Sequence, residues 1–190
     1  MRVPKTASGS ITTVLKRKGV TIIGHDIRNP DYISLAQYRL QASHPLFAFA
    51  FVRNPWDRLV SAFFYLVRGG KNAADLLDRE RYIGTCGKNF EAFVHGPLAS
   101  GEPLEQIHFR PQHLWVSDDE GNLVTDFVGR FESLQADFDT VCRQTGLWRK
   151  RLGFQKRGDH VPYRNYYDAA MRDVVAQVYQ RDIELFGYEF

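Results

Sequence analysis

The chain has few cysteines: Cys86 and Cys142 are the only two in 190 residues. They form no C-x-x-C pair and have no histidines at metal-ligand spacing, so neither a disulfide scaffold nor a zinc finger is encoded. They read as thiols of a reducing compartment. Long apolar runs are also missing. The longest, Leu46 to Val52, has seven residues, against the ~20 that span a bilayer. The first residues, Met1-Arg2-Val3-Pro4-Lys5, carry no apolar secretory core. No unit of roughly 20–50 residues repeats, which excludes solenoids and propellers. The net charge is only +3, too little to argue for nucleic acid but compatible with an anionic ligand. The standard phosphate-binding glycine motifs are absent. There is no G-x-G-x-x-G, and Gly87-Lys88 is followed by Asn89, with Tyr82 where a Walker loop needs its first glycine.

What is present is an ordinary globular composition, 44% hydrophobic and 25% charged, in a chain of single-domain length. Strand-like and helix-like segments alternate. A short strand ends at Pro4, and Ser8 to Lys18 reads as a helix stopped by Gly19. Val20 to Ile23 reads as a short buried strand and Ile33 to Ala42 as a helix. Leu46 to Val52 is uniformly apolar, as a parallel strand covered on both faces should be. Asn54-Pro55 then opens a helix whose apolar residues Trp56, Leu59, Val60, Phe63, Phe64 and Val67 form one stripe. Helices are also expected near Asn89 to Val94, at Leu134 to Gln144 after a strand Phe127 to Phe131, and across Met171 to Ile183. The expected fold class is therefore α/β: a single domain over residues 1–190, with a parallel sheet flanked by helices. Such sheets bind ligands at the carboxyl ends of their strands.

Two segments fall at strand–helix junctions on that edge. Pro4-Lys5-Thr6-Ala7-Ser8-Gly9-Ser10 places a cation, hydroxyls and small residues at a helix start. Backbone N–H groups there can point at an anion, and small residues let it approach. Phe51-Val52-Arg53-Asn54-Pro55 places Arg53 just past a strand, where its fork can grip a phosphate, with Ser61 eight residues on. Taken singly, each has a plainer reading as a capped helix, a surface arginine or a solvated serine.

Together the two segments resemble the sulfotransferases that use 3′-phosphoadenosine 5′-phosphosulfate (PAPS). Arg2 to Ser8 is most similar to the uronyl 2-O branch of the carbohydrate sulfotransferases. The resemblance implies a P-loop-NTPase-like parallel sheet, the sulfotransferase fold. It implies that Lys5, Thr6, Ala7, Ser8, Gly9 and Ser10 hold the phosphosulfate, Lys5 also serving catalysis, while Arg53 and Ser61 hold the 3′-phosphate. Family members often read Gly-Thr-Ser after the alanine, where this chain has Ser8-Gly9-Ser10. A catalytic His or Glu follows the strand before the arginine strand in the family, and His25 stands there as the implied general base; histidine suits proton abstraction near neutral pH. Lys156 and Arg157, in a basic stretch over residues 149–157, resemble a late loop that closes on the nucleotide.

His108 and Arg110 lie in a polar run, His108-Phe109-Arg110-Pro111-Gln112-His113, and are expected to line the acceptor site. Two histidines without helical spacing make a poor metal site, and none is expected. The resulting expectation is PAPS-dependent O-sulfation of a hydroxyl, on a carbohydrate acceptor, releasing 3′,5′-adenosine bisphosphate (PAP). No nucleic-acid partner or membrane span is expected, and the location is cytoplasmic, in a bacterium. A non-catalytic nucleotide or glycan binder and a phosphoryl-transfer enzyme of related fold are the alternatives.

Overall fold

The computed structural model describes residues 1–16, 20, 33–43, 46–153 and 161–190. In chain order their regular elements are α1 (Ser8–Leu15), α2 (Leu35–Gln41), β1 (Phe49–Val52), α3 (Pro55–Val67), α4 (Ala73–Tyr82), α5 (Phe90–Phe93), α6 (His113–Val116), β2 (Phe127–Arg130), α7 (Leu134–Thr145), α8 (Ala169–Val178) and α9 (Gln180–Phe186). They fall into two compact units. Unit 1 comprises Met1–Arg53 with Gln112–Gly158, and unit 2 comprises Asn54–Pro111 with Asp159–Phe190.

Unit 1 contains the sheet. β1 pairs parallel with β2, in the register Phe49↔Phe127 to Val52↔Arg130, and this is the one regular strand pair among the described residues. Gly129 is required by close approach: a Cβ there would lie 2.5 Å from the Phe51 ring. Ile11, Leu15, Phe51, Leu134, Phe138, Val141, Cys142 and Leu152 make the core of this unit. The strand expected to end at Pro4 does not form among the described residues; Pro4 and Lys5 begin a turn instead. Lys5 and Ala7 both adopt left-handed backbone, φ 70° and 59°, so the chain cannot run on extended past Pro4. α2 starts at a capping box, the Ser34 and Gln37 side chains each bonding the other's backbone N–H. The expected strand Val20 to Ile23 lies largely outside the described residues.

Unit 2 is helical. α3 begins where Asn54 Oδ1 accepts from the Trp56 N–H, with Pro55 in the first turn. Its stripe is buried as its spacing requires: Trp56, Leu59, Val60 and Phe63 are in the core, joined by Leu66, and Phe64 and Val67 pack at its edge. Two helices differ from expectation. After α5 the chain continues as a π-turn over Val94–Leu98 that contains Pro97. Proline has no N–H and crowds the preceding turn, and the Ala99 N–H donates to Val94 O at 3.1 Å, five residues back. The last helix is two helices, broken at Tyr179 with φ −109° and ψ 25°. The Tyr179 hydroxyl, on a wholly buried side chain, donates to Phe109 O at 2.7 Å.

Candidate functional site

The site is built in unit 1 from the loop before α1 and the residue after β1. α1 has no side-chain cap: its N-cap is Ala7, whose carbonyl accepts from the N–H groups of Ser10 and Ile11 at 3.0 and 3.3 Å. The Ser8 and Gly9 N–H groups have no hydrogen-bond partner among the described residues. Gly9 is exposed, and an added Cβ there would meet nothing within 4 Å; both amides belong to the first turn of α1, at the positive end of the helix dipole. Two left-handed non-glycine residues, each costing about 1 kcal/mol, hold the loop in this shape. Thr6 is buried and its hydroxyl donates inward to Val3 O at 2.9 Å. Thr6 therefore stiffens the turn, while Ser8 and Ser10 are half-exposed.

Arg53 comes to this loop. Its Nη1 donates to Lys5 O at 3.2 Å, across 48 residues of sequence. Its guanidinium lies over the Phe131 ring, 4.1 Å from the centroid. The β1–β2 register explains the stacking: Val52 pairs with Arg130, so the next residues, Arg53 and Phe131, leave the sheet side by side. The main chain of Arg53 is also held. Gln112 Oε1 accepts from the Arg53 N–H at 2.9 Å, and Gln112 Nε2 donates to Arg53 O at 2.8 Å. Sequence reasoning paired Arg53 with the loop and missed both Phe131 and Gln112. The parallel strand ends were the signal for Phe131; Gln112 carried none, because its partner is 59 residues away.

A cavity of about 40 Å³ lies behind the loop, lined by Arg2, Thr6, Ser8, Ile11, Phe49 and Phe51. Burial lowers the pKa of the Arg2 guanidinium lining it.

The other expected residues fall as follows. Ser61 is half-buried on α3. His25, Lys156 and Arg157 lie outside the described residues. Arg149, Lys150 and Arg151 are exposed after α7, where Gln135 pins the backbone by donating to Lys150 O and accepting from the Leu152 N–H.

His108 and Arg110 belong to unit 2. His108 is 8% exposed. Its Nε2 is 3.4 Å from Asp75 Oδ1, and its N–H donates to Gln106 Oε1 at 2.6 Å. Asp75, with a side chain 2% exposed, also accepts from the Tyr65 hydroxyl at 2.6 Å and the Lys71 N–H at 2.9 Å. Burial by itself raises the Asp75 carboxyl, but hydrogen bonds from His108, Tyr65 and the Lys71 N–H outweigh it and hold the group well below the usual carboxylate range. Burial, with the hydrogen bond to Asp75 and its charge, pushes the Tyr65 phenol well above its ordinary value. Arg110 donates to Glu105 at 3.1 Å, and its carbonyl accepts from Arg58, itself buried. The run over residues 106–110 is thus held by Asp75 of α4, Arg58 of α3 and the Tyr179 hydroxyl. On the surface of the same unit Glu91, His95 and Asp168 bring one ligand atom each within 4.8 Å of one another, with Asp168 already capping α8.

No helix among the described residues is long and apolar enough to cross a membrane. No curated protein and no solved structure matches the chain. The family model described as the sulfotransferase family matches residues 1–189, across both units. An arginine tied to an uncapped, cation-bearing helix start fits a donor that carries anionic groups, and with that match over nearly its whole length the chain belongs to the sulfotransferase family.

Proposed function

We propose that this sulfotransferase takes PAPS as its donor and moves the sulfuryl group to a hydroxyl of a carbohydrate acceptor. The observation that supports it is the hydrogen bond from Arg53 Nη1 to Lys5 O, which makes one constellation of two motifs that are each ambiguous alone. The parallel β1–β2 pair belongs, in this reading, to a P-loop-like sheet with the donor at its carboxyl edge. The amides of Ser8 and Gly9, with Ser10 and the α1 dipole, receive the 5′-phosphosulfate. Arg53 takes the 3′-phosphate as a planar fork, and Ser61 is the second donor that the family resemblance assigns to that phosphate. Lys156 and Arg157 close over the nucleotide by the same resemblance.

The donor supplies an activated sulfuryl group and leaves as PAP. The acceptor oxygen forms the new S–O bond as the bond to the 5′-phosphate oxygen breaks. Lys5 meets the charge that develops on that departing oxygen, electrostatic assistance worth about 10²–10³ in rate. The acceptor proton passes to His25 as general base. Arg110 contacts the acceptor; His108, nearly enclosed against Asp75, shapes the loop that carries it. The enzyme works in the cytoplasm, without metal and without nucleic acid.

The test is single-turnover formation of PAP from PAPS with a panel of glycan and small-alcohol acceptors. Acceptor-dependent PAP release, reduced at least a hundredfold in Lys5→Ala and unaffected by chelator, supports the reading. Transfer that needs a divalent metal and ATP would replace it with phosphoryl transfer. Nucleotide binding without turnover on any acceptor would make the chain a binder.

A further inference from the structure

Arg53 is useful as a phosphate fork only if its Cα is fixed, because a guanidinium on a mobile backbone loses its planar aim. The β-ladder cannot fix it. Pairing ends at Val52↔Arg130, so the N–H and C=O of Arg53 lie one residue beyond the last rung. Gln112 holds both groups instead. Its side-chain amide is an acceptor and a donor on one rigid plane, and it meets the Arg53 N–H at 2.9 Å and the Arg53 carbonyl at 2.8 Å. A side-chain amide sets that donor and acceptor side by side on one carbon, and Asn, the other residue that has one, is one methylene shorter. Gln112 is completely buried, and its own backbone is fixed by α6, whose Trp115 N–H donates to Gln112 O at 3.0 Å. The guanidinium end is then set by Lys5 O at 3.2 Å and the Phe131 ring at 4.1 Å.

We propose that Gln112 is a positioning residue: it aims Arg53 at the 3′-phosphate, and so sets the preference for a 3′-phosphorylated nucleotide over one without that group. The inference rests on the functional reading above. Arg53 and Gln112 are also the residues at which the chain first leaves unit 1 and then returns to it, so the same bonds would serve a purely structural clasp. The two roles differ in what they move. A clasp affects folding and all nucleotides alike; an aiming device affects only ligands that reach Arg53.

The experiment measures PAP and 5′-AMP affinities by calorimetry for the wild type, Gln112→Met and Gln112→Asn, with thermal melts alongside. Met keeps the volume and removes both hydrogen bonds; Asn keeps the amide but cannot span both Arg53 groups, and serves where the Met protein does not fold. The expected result is a PAP affinity lower by about tenfold, the size of one to two lost hydrogen bonds, with 5′-AMP affinity within about twofold of wild type. PAP and 5′-AMP affinities that fall together, or a PAP preference that survives in the folded variants, would overturn the positioning role and leave the functional reading standing. A wild-type protein that does not prefer PAP over 5′-AMP would overturn the functional reading, and the positioning role with it.

Discussion

Asp75 offers the sharpest test of how unit 2 is held together around His108. Its carboxylate accepts from the Tyr65 hydroxyl and the Lys71 N–H through Oδ2, at 2.6 and 2.9 Å, and lies 3.4 Å from His108 Nε2 through Oδ1. The first two are short, charge-assisted bonds in a site almost closed to solvent, worth about 1.5–3 kcal/mol each. Asp75→Ala removes both, and the relief of carboxylate burial gives part of that back, so a net loss of about 3 kcal/mol is expected. For a chain of this size that is roughly 6–12 °C in Tm. Asp75→Asn behaves differently. Its carbonyl oxygen can still face Tyr65 and Lys71, as a neutral acceptor about half as strong, so the loss should be about 1–1.5 kcal/mol. Urea unfolding followed by circular dichroism, with the slope checked for constancy, measures both. An alanine variant that loses less than about 1 kcal/mol, or one no worse than the asparagine, would refute the claim that this carboxylate anchors unit 2.

Four further outcomes follow from the same geometry. The folded-state Asp75 carboxyl is held below its unfolded value of about 4. Its contribution is therefore fully present above roughly pH 4 and is lost as pH falls through the folded value; acid unfolding should be visibly less steep in Asp75→Asn, and equal acid profiles would contradict the assignment. Gly129→Ala should cost about 1–3 kcal/mol by thermal melt, because its Cβ would meet the Phe51 ring at 2.5 Å. Gly70→Ala should also destabilise, since φ is +63° and the added carbon would lie 2.2 Å from the Asp75 Cβ; an unchanged melt would show that the α3–α4 turn can shift. Phe131→Leu should weaken PAP binding by about 1 kcal/mol, roughly fivefold, through the lost stacking on Arg53, without lowering 5′-AMP affinity to the same degree.

Much of this was legible from local chemistry. Asn54 and Pro55 announce the start of α3, the apolar stripe identifies its buried face, and the two apolar segments at Phe49 and Phe127 do pair in parallel. The 4–10 loop and Arg53 were singled out by residue type and spacing, and the hydrogen bond to Lys5 O joins them. What stayed hidden depends on partners far along the chain. The break at Tyr179 goes with a hydroxyl that reaches Phe109, 70 residues away. His108, in a polar run that looks like an open binding loop, is buried beside Asp75, 33 residues earlier. Pro97 was visible, but a widened turn rather than a stop depends on how the Ala99 N–H finds Val94. Gln112 looks like any polar residue until the end of the β1–β2 ladder leaves the Arg53 backbone beside it.

The central claim is that Arg53, tied to the Lys5 loop, reads a 3′-phosphate. Calorimetric titration with PAP, beside 5′-AMP and ADP, on the wild type and on Arg53→Ala, tests it most directly. The account predicts that the wild type binds PAP at least tenfold more tightly than either of the others, about 1.4 kcal/mol or more, and that Arg53→Ala removes the difference. Equal binding of all three nucleotides, or a PAP preference that persists without the arginine, would contradict it.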